Sequence, residues 1–213
     1  MAHEQEDIVF VVDDDRRVRD ALVLLLSSFD MHAVAFGSAA EYLAYPKPDV
    51  PACLVLDVEL PDMNGLDLQR QLACEDHPHI VFITGHGDIP STVRAIKTGA
   101  VDFLTKPFSE ADLMRAINAA LSQNRESRRE RSQVADLQER LRRLTPRERD
   151  VLPLVVSGLL NKQAAAELEI SEVTLQIHRS NIMRKMEAAS LPDLVRMAGR
   201  LGIAITRSRR SRG

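Results

Sequence analysis

Polar side chains suited to phosphoryl chemistry follow three short apolar runs of the chain. Asp13 and Asp14 come directly after the first run, Asp57 closes the second, and Thr84 closes the third. If the runs are parallel strands, their carboxyl ends meet at one edge of a sheet, where open α/β folds bind ligands. Carboxylates gathered there repel one another unless a divalent cation lies between them, and hard oxygen ligands suit magnesium. The spacing therefore predicts phosphate chemistry on an aspartate, with Mg²⁺ as cofactor.

The elements that must position these residues alternate from residue 7 to about residue 121. Short apolar runs and helical patterns take turns there, which is typical of βα units and a parallel sheet covered on both faces. The predicted fold class of this part is α/β, a flavodoxin-like domain with a five-stranded parallel sheet. The predicted strands are 7–12, 32–36, 52–57, 79–84 and 101–105, and the predicted helices are 16–28, 38–44, 64–75, 89–98 and one from about 109.

Beyond residue 121 the pattern becomes entirely helical. Residues 122–143 are rich in Arg, Glu and Gln, and their leucine and valine spacing fits either a two-stranded coiled coil or a solvated helical linker. Residues 144–213 show start signals for three or four short helices and no strand pattern. The predicted domains are therefore 1–121 (α/β), 122–143 (helical linker) and 144–213 (an all-α, four-helix domain).

Charge divides the chain in the same way. Residues 1–120 contain 9 Lys/Arg and 20 Asp/Glu, a net charge of −11, whereas residues 121–213 contain 19 and 11, a net charge of +8. This asymmetry predicts a metal or regulatory site in the first part and a polyanion partner for the second. The chain shows neither a run of membrane-spanning length nor the features of a signal peptide, so we expect a cytoplasmic protein with no membrane partner.

Four motifs of the first part, VFVVDDD, LVLDVELPDMNG, VFITGHGD and DFLTKPF, resemble the receiver domain of two-component response regulators. The resemblance implies that a sensor histidine kinase phosphorylates Asp57. It also implies that Asp13, Asp14 and Asp57, together with the backbone carbonyl of Glu59, hold Mg²⁺. The solvated acidic cluster that Asp13 and Asp14 would form alone is disfavoured, because they share the edge with other matching residues.

Three further residues of the resemblance complete the predicted pocket. Lys106 would neutralise charge in the transition state of phosphoryl transfer, and its bond to Pro107 is expected to be cis. Thr84 and Phe103 match the family's switch pair, and the alternative for Phe103 is a core aromatic ring that never moves. A haloacid-dehalogenase-type phosphatase is a poor alternative, because its Asp-x-Asp-x-Thr motif fails at Arg17.

Residues 144–198 resemble the LuxR-type helix-turn-helix through LTPRERDVL, GLLNKQAAAELEIS and EVTLQIHRSNIMRKM, and the whole chain resembles the FixJ subfamily. A helical projection of the last motif buries Leu175, Ile182 and Met186 and exposes the opposite face. Many relatives carry lysine where this chain has Gln176, so the usual guanine contact is in doubt. The predicted DNA-binding residues are Lys162, Thr174, Gln176, Ile177, Arg179, Ser180, Asn181, Arg184 and Lys185, of which Lys162, Arg179, Arg184 and Lys185 would contact phosphates.

Together these patterns predict a transcription regulator rather than an enzyme. After phosphorylation of Asp57, the face of residues 89–106 would become a dimerisation surface, and the homodimer would bind double-stranded DNA and act on RNA polymerase. Two alternatives remain open. The chain could be a constitutive DNA binder whose acidic pocket is structural. The exposed face of the motif EVTLQIHRSNIMRKM could bind protein instead of DNA.

Overall fold

The computed structural model describes residues 7–72, 77–85, 93 and 95–204, and the chain divides into two compact units, Met1–Arg128 and Arg129–Gly213. Among the described residues, no helix combines the length and the apolar character that crossing a bilayer requires.

The first unit is built on five parallel strands in the order β2-β1-β3-β4-β5. The register pairs Val12 of β1 with Leu56 of β3 and Phe82 of β4 with Phe103 of β5, so the carboxyl ends of these strands lie side by side. The predicted α/β fold with a five-stranded parallel sheet is confirmed. The strands are β1 (Ile8–Val12), β2 (His32–Phe36), β3 (Ala52–Asp57), β4 (His79–Thr84) and β5 (Asp102–Thr105).

Helices cover both faces of the sheet because its strands are apolar on both sides. Helices α1 (Arg16–Ser28) and the start of the long helix (Glu110–Arg142) pack on one face, through Leu22 and Leu113 among others. Helices α2 (Ala39–Ala44) and α3 (Gly65–Leu72) pack on the other face, through Tyr42 and Leu68 among others. Of the predicted helix at 89–98, residues 93 and 95–97 are helical, and residues 89–92 and 94 lie outside the described residues. Residues 73–75, the end of the predicted helix at 64–75, also lie outside them.

The long helix continues without a break through residues 122–142, where a separate linker is predicted. Asn124 is 3% exposed, and its side-chain oxygen accepts a hydrogen bond from the backbone N–H of Ala52 at 3.0 Å. Arg125 and Arg128 form ion pairs with Asp7 and Asp49. These contacts fasten the helix to the rest of the first unit as far as residue 128, and the division at 121 and 143 stays a prediction.

The second unit contains four helices after the long helix within its described part. Its core is formed by apolar residues such as Val151, Leu175 and Ile182. Thr145 and Glu148 form a capping box at the start of the first of these helices, which satisfies two backbone N–H groups. The helices are Pro146–Val156, Asn161–Glu167 (the scaffold helix), Glu172–Met186 (the predicted recognition helix) and Leu191–Arg200.

Candidate functional site

Three carboxylates gather at the carboxyl edge of the sheet. Asp13 follows β1 and is fully buried, Asp57 ends β3 and is 6% exposed, and Asp14 is exposed. One carboxylate oxygen of each lies within 4.8 Å of the others. Since β1 and β3 are neighbouring parallel strands, the fold itself brings these acids together, as the sequence predicts.

Lys106 supplies the positive charge of this acidic pocket, which Asp13, Asp14, Asp57 and Lys106 form. Its Nζ donates to Oδ2 of Asp13 and to Oδ2 of Asp57, both at 2.6 Å. The backbone N–H of Lys106 donates to the carbonyl of Thr84 at 2.7 Å, and the Lys106–Pro107 peptide bond is cis, as predicted. Burial acts to lower the pKa of Lys106, but its hydrogen bonds with the two carboxylates outweigh burial and raise that pKa above its ordinary value. Lys106 is therefore a firmly protonated cation.

The acidic pocket holds more negative than positive charge. Three carboxylates contribute −3 and Lys106 contributes +1, so the formal net charge is −2. Burial raises the pKa of Asp13 above its ordinary value, although the hydrogen bond from Lys106 acts in the opposite direction. Hard carboxylate oxygens with an excess charge of −2 are the donor set that a magnesium ion fits.

Contacts to backbone groups fix the loop that follows Asp57. Oδ1 of Asp57 accepts a hydrogen bond from the N–H of Glu59 at 3.1 Å, and Glu59 forms a bridge with Asn64. A Cβ at Gly65 would lie 2.3 Å from the carbonyl oxygen of Asp57, so only glycine fits this approach. Gly65 is not among the predicted site residues, although its place in the PDMNG motif after Asp57 is a signal in the sequence.

The predicted switch residues lie on adjacent strands. Thr84 ends β4 and is fully buried, whereas Phe103 lies within β5 and is partly buried. The rings of Phe82 and Phe103 have their centroids 6.0 Å apart. This geometry fits a packed aromatic next to the pocket, and whether its ring moves stays a prediction. His86 of the VFITGHGD motif lies outside the described residues.

A residue that the sequence reasoning missed contacts the acidic pocket from α1. Nη1 of Arg19 donates to the carbonyls of Asp13 at 2.7 Å and Asp14 at 2.9 Å. Because Arg16, Arg17 and Arg19 all follow the acidic run, the sequence carried no signal that separates Arg19 from its neighbours.

The predicted recognition helix has two distinct faces. Leu175, Ile182 and Met186 are fully buried, which agrees with the helical projection. Ile177 is 57% exposed and Val173 is 72% exposed, one helical turn apart. Of the other predicted base contacts, Thr174, Gln176 and Ser180 are exposed and Asn181 is half-buried. The exposed face therefore combines apolar and neutral polar side chains.

The four predicted phosphate contacts differ in their surroundings. Lys162 and Arg184 are exposed. Nη1 of Arg179 donates to Oδ1 of Asn161 at 2.9 Å, which joins the recognition helix to the scaffold helix. Nζ of Lys185 donates to Oε2 of Glu148 at 2.6 Å, and Glu148 is 3% exposed. Arg179 and Lys185 thus have partners inside the second unit, which sequence spacing could not reveal.

Comparison with known proteins matches both units to families. A family model described as the response regulator receiver domain matches residues 9–118, and one described as bacterial regulatory proteins of the luxR family matches residues 142–198. Nodulation protein W of Bradyrhizobium diazoefficiens is 52% identical over 92% of this chain and 87% of that protein. Transcriptional regulatory protein FixJ of Azorhizobium caulinodans is 42% identical over 92% of this chain and 93% of that protein. A solved structure of the response regulator StyR superposes with a TM-score of 0.79 at 46% identity, covering 91% of this chain and 98% of that one.

Proposed function

The chain belongs to the response regulators that join a receiver domain to a LuxR-type DNA-binding domain, and we propose that phosphorylation of Asp57 switches it to a DNA-binding dimer. Membership of this family, with FixJ among the relatives, implies two-component regulation of transcription, a histidine kinase partner and binding to DNA. The observation that carries the proposal is the pair of hydrogen bonds that Lys106 makes to Asp13 and Asp57 in a pocket with excess negative charge.

Phosphoryl transfer to Asp57 needs a nucleophile and compensation of charge. A carboxylate oxygen of Asp57 forms the new bond to phosphorus while the bond from phosphorus to the donor's histidine nitrogen breaks. Lys106, already beside Oδ2 of Asp57, compensates part of the charge on the phosphoryl oxygens. Asp13, Asp14, Asp57 and the carbonyl of Glu59 would hold Mg²⁺, which supplies further charge compensation when bound.

The phosphorylated state would be transmitted through Thr84 and Phe103. Thr84 would donate its hydroxyl to a phosphoryl oxygen, and Phe103 would pack into the space that the hydroxyl leaves. Residues 89–106 would then favour dimerisation; of these, Ile96 is 45% exposed, and residues 89–92 and Arg94 lie outside the described part. Phosphorylation need only shift an existing equilibrium by a few kcal/mol to change dimer occupancy strongly.

In the dimer, two recognition helices would enter the major grooves of paired half-sites. Thr174, Gln176, Ile177, Ser180 and Asn181 would face base edges, and an isoleucine exposed in water suits the methyl group of thymine. Lys162 and Arg184 would contact phosphates, and Arg179 and Lys185 would do so while keeping their partners Asn161 and Glu148.

The remaining parts of the proposal concern organisation and setting. The chain would consist of a receiver domain (1–121), a helical linker (122–143) and a DNA-binding domain (144–213). It would act in the cytoplasm and influence RNA polymerase from the bound DNA.

Sedimentation velocity tests the switch. Wild type and Asp57→Asn are compared with and without Mg²⁺ and acetyl phosphate as phosphodonor. We expect dimer formation only in phosphorylated wild type, because the substituted amide side chain keeps the shape of the pocket and loses the nucleophile. Dimerisation of Asp57→Asn that still requires the phosphodonor would refute Asp57 as acceptor, whereas a wild type that never responds would favour a constitutive DNA binder.

A further inference from the structure

Arg19 is not one of the residues that form the acidic pocket, but it binds the backbone of the loop that carries Asp13 and Asp14. Its Nη1 donates to two consecutive carbonyls, that of Asp13 at 2.7 Å and that of Asp14 at 2.9 Å. These carbonyls belong to the two peptide planes that meet at the Cα of Asp14. One donor shared between them therefore fixes the backbone dihedrals of Asp14, and with them the direction in which its side chain leaves the chain.

The turn after β2 supports this guanidinium. A Cβ at Gly37 would lie 3.5 Å from Nη1 of Arg19 and 3.6 Å from its Cζ, so the guanidinium lies in contact distance of this turn. The N–H of Asp13 donates to the carbonyl of Phe36 at 3.3 Å, which ties the same loop to the end of β2. The first loop of the pocket is thus held between α1 and the turn at Gly37.

Asp62 makes the equivalent connection for the loop that contains Glu59. Its Oδ2 accepts from the N–H of Ala40 at 2.8 Å and its Oδ1 from the N–H of Ala39 at 3.2 Å. These N–H groups begin α2, immediately after the turn at Gly37. Both loops that carry the proposed metal ligands are therefore fastened to one short stretch, residues 37–40, by Arg19 on one side and Asp62 on the other.

We propose that Arg19 is a positioning residue of the magnesium site, and that Asp62 is its counterpart on the Glu59 loop. Neither residue touches the metal or the phosphoryl group. Each fixes the backbone from which a ligand projects, so that the oxygens are in place before the cation arrives. This inference rests on the proposed function, because it assumes that the acidic pocket binds Mg²⁺.

Removal of Arg19 changes Mg²⁺ affinity in opposite directions depending on whether Arg19 acts through its charge or by positioning the ligands. The direction of the change therefore tests the proposal. A cation next to a metal site repels Mg²⁺, so removal of its charge would tighten Mg²⁺ binding if Arg19 acted only through its field. Removal of a positioning residue weakens binding, because the ligands must be ordered when the ion binds. Outer partners of metal ligands typically contribute about 10-fold to 100-fold in metal affinity or activity.

The experiment measures Mg²⁺ binding to the full chain by isothermal titration calorimetry for wild type, Arg19→Gln and Arg16→Gln. Arg16 is the matched control, since its side chain is 82% exposed on the same helix and pairs with Asp20. We expect Arg19→Gln to weaken Mg²⁺ binding by about tenfold. Arg16→Gln should leave it unchanged or slightly tighter.

Phosphorylation supplies a second readout that a loss of general stability would not move. Intact-mass spectrometry follows phosphoryl transfer from acetyl phosphate as the Mg²⁺ concentration rises. The Mg²⁺ concentration for half-maximal rate should rise about tenfold in Arg19→Gln, while the rate at saturating Mg²⁺ should approach that of wild type. A variant that was only less stable would show a lower melting temperature and an unchanged Mg²⁺ requirement.

Asp62 is tested with two variants of equal charge. Asp62→Asn keeps one acceptor oxygen, whereas Asp62→Ala keeps none. We expect Asp62→Ala to bind Mg²⁺ more weakly than Asp62→Asn by a few-fold, because the comparison removes hydrogen bonding without a further change of charge.

The possible outcomes separate this inference from the proposed function. Equal or tighter Mg²⁺ binding in Arg19→Gln than in Arg16→Gln overturns the positioning role while wild type still binds Mg²⁺ and is phosphorylated. Wild type that does neither overturns the proposed function itself. If Arg19→Gln does not fold, Arg19→Lys decides: it keeps the charge and loses the guanidinium geometry, so wild-type Mg²⁺ affinity in this variant refutes the proposal.

Discussion

The two units each contain a buried carboxylate paired with a lysine, but the two clusters have different charge balances. In the second unit, Nζ of Lys185 lies 2.6 Å from Oε2 of Glu148, and this oxygen also accepts from the N–H of Thr145 at 2.8 Å. In the first unit, Lys106 lies at the same distance of 2.6 Å from two carboxylates, those of Asp13 and Asp57. Distance alone does not distinguish the two clusters.

Charge balance does distinguish them. One acid meets one base at Glu148, and the backbone N–H and the hydroxyl of Thr145 supply its other hydrogen bonds, so nothing further is needed to satisfy this cluster. The acidic pocket has three acids and one base, an excess that costs stability until another cation enters. A balanced buried pair is typical of a structural role, whereas an excess of charge of one sign makes the acidic pocket a candidate ligand site.

The largest expected effect comes from breaking the balanced pair. Lys185→Met leaves Glu148 buried without its cation, which should destabilise the second unit by about 2 kcal/mol. The full penalty of about 3–5 kcal/mol for a deeply buried pair is reduced, because the Lys185 side chain is 24% exposed. Hydrogen–deuterium exchange of peptides from residues 146–200 measures the loss in the full chain.

The same variant carries an internal control. Both tyrosines of the chain, Tyr42 and Tyr45, lie in the first unit, and the chain has no tryptophan. Tyrosine fluorescence during urea unfolding should therefore be unchanged by Lys185→Met. Replacing both partners, Lys185→Met with Glu148→Met, should recover much of the lost protection, because no buried charge is then left unpaired. A single variant as protected as wild type would contradict the structural role of the pair.

Removing a charged side chain from the acidic pocket should stabilise the first unit, whereas removing Lys185 destabilises the second. Asp13→Asn keeps an oxygen for the N–H of Asp15 and removes one of the excess negative charges. Because burial raises the pKa of Asp13, its ionised form costs stability at neutral pH, and the variant should be more stable than wild type in the presence of EDTA. Urea unfolding followed by tyrosine fluorescence reports this unit alone.

Mg²⁺ should then act against this stability difference between Asp13→Asn and wild type. Wild type gains about 1.4 kcal/mol when Mg²⁺ is present at tenfold its dissociation constant, since the ion binds only the folded state. Asp13→Asn should gain less, because it has lost a ligand oxygen. Equal responses of the two proteins to Mg²⁺ would show that Asp13 is not a ligand, and a destabilised variant in EDTA would show that the pocket is not strained by excess charge.

The difference between the two clusters also explains which of their residues can be predicted from the sequence. The acidic pocket can be predicted because its acids lie at the ends of β1 and β3 and Lys106 follows β5, and parallel pairing brings these strand ends to one edge without knowledge of packing. The Glu148–Lys185 pair joins helices whose contact depends on tertiary packing, so the sequence predicts only a phosphate contact for Lys185. Arg19 was missed for a similar reason, since its acceptors are backbone carbonyls that leave no trace in the residue types.

The smallest expected effect is the acid sensitivity of the balanced pair. Burial acts to raise the pKa of Glu148, but the hydrogen bonds from Lys185 and Thr145 outweigh it and hold that pKa below its ordinary value of 4.5. A carboxyl group with a lowered folded-state pKa stabilises the fold above its unfolded-state pKa, and this stability is lost as the pH falls through the folded-state value. Glu148→Gln should therefore reduce the protection of the second unit against hydrogen–deuterium exchange by more at about pH 7 than at about pH 3.5.

Glu167→Gln serves as control, because Glu167 is an exposed carboxylate on the scaffold helix, and this variant should show no such pH dependence. A Glu148→Gln deficit that stays constant down to the lowest pH would mean that hydrogen bonding, and not the charge of Glu148, stabilises the cluster.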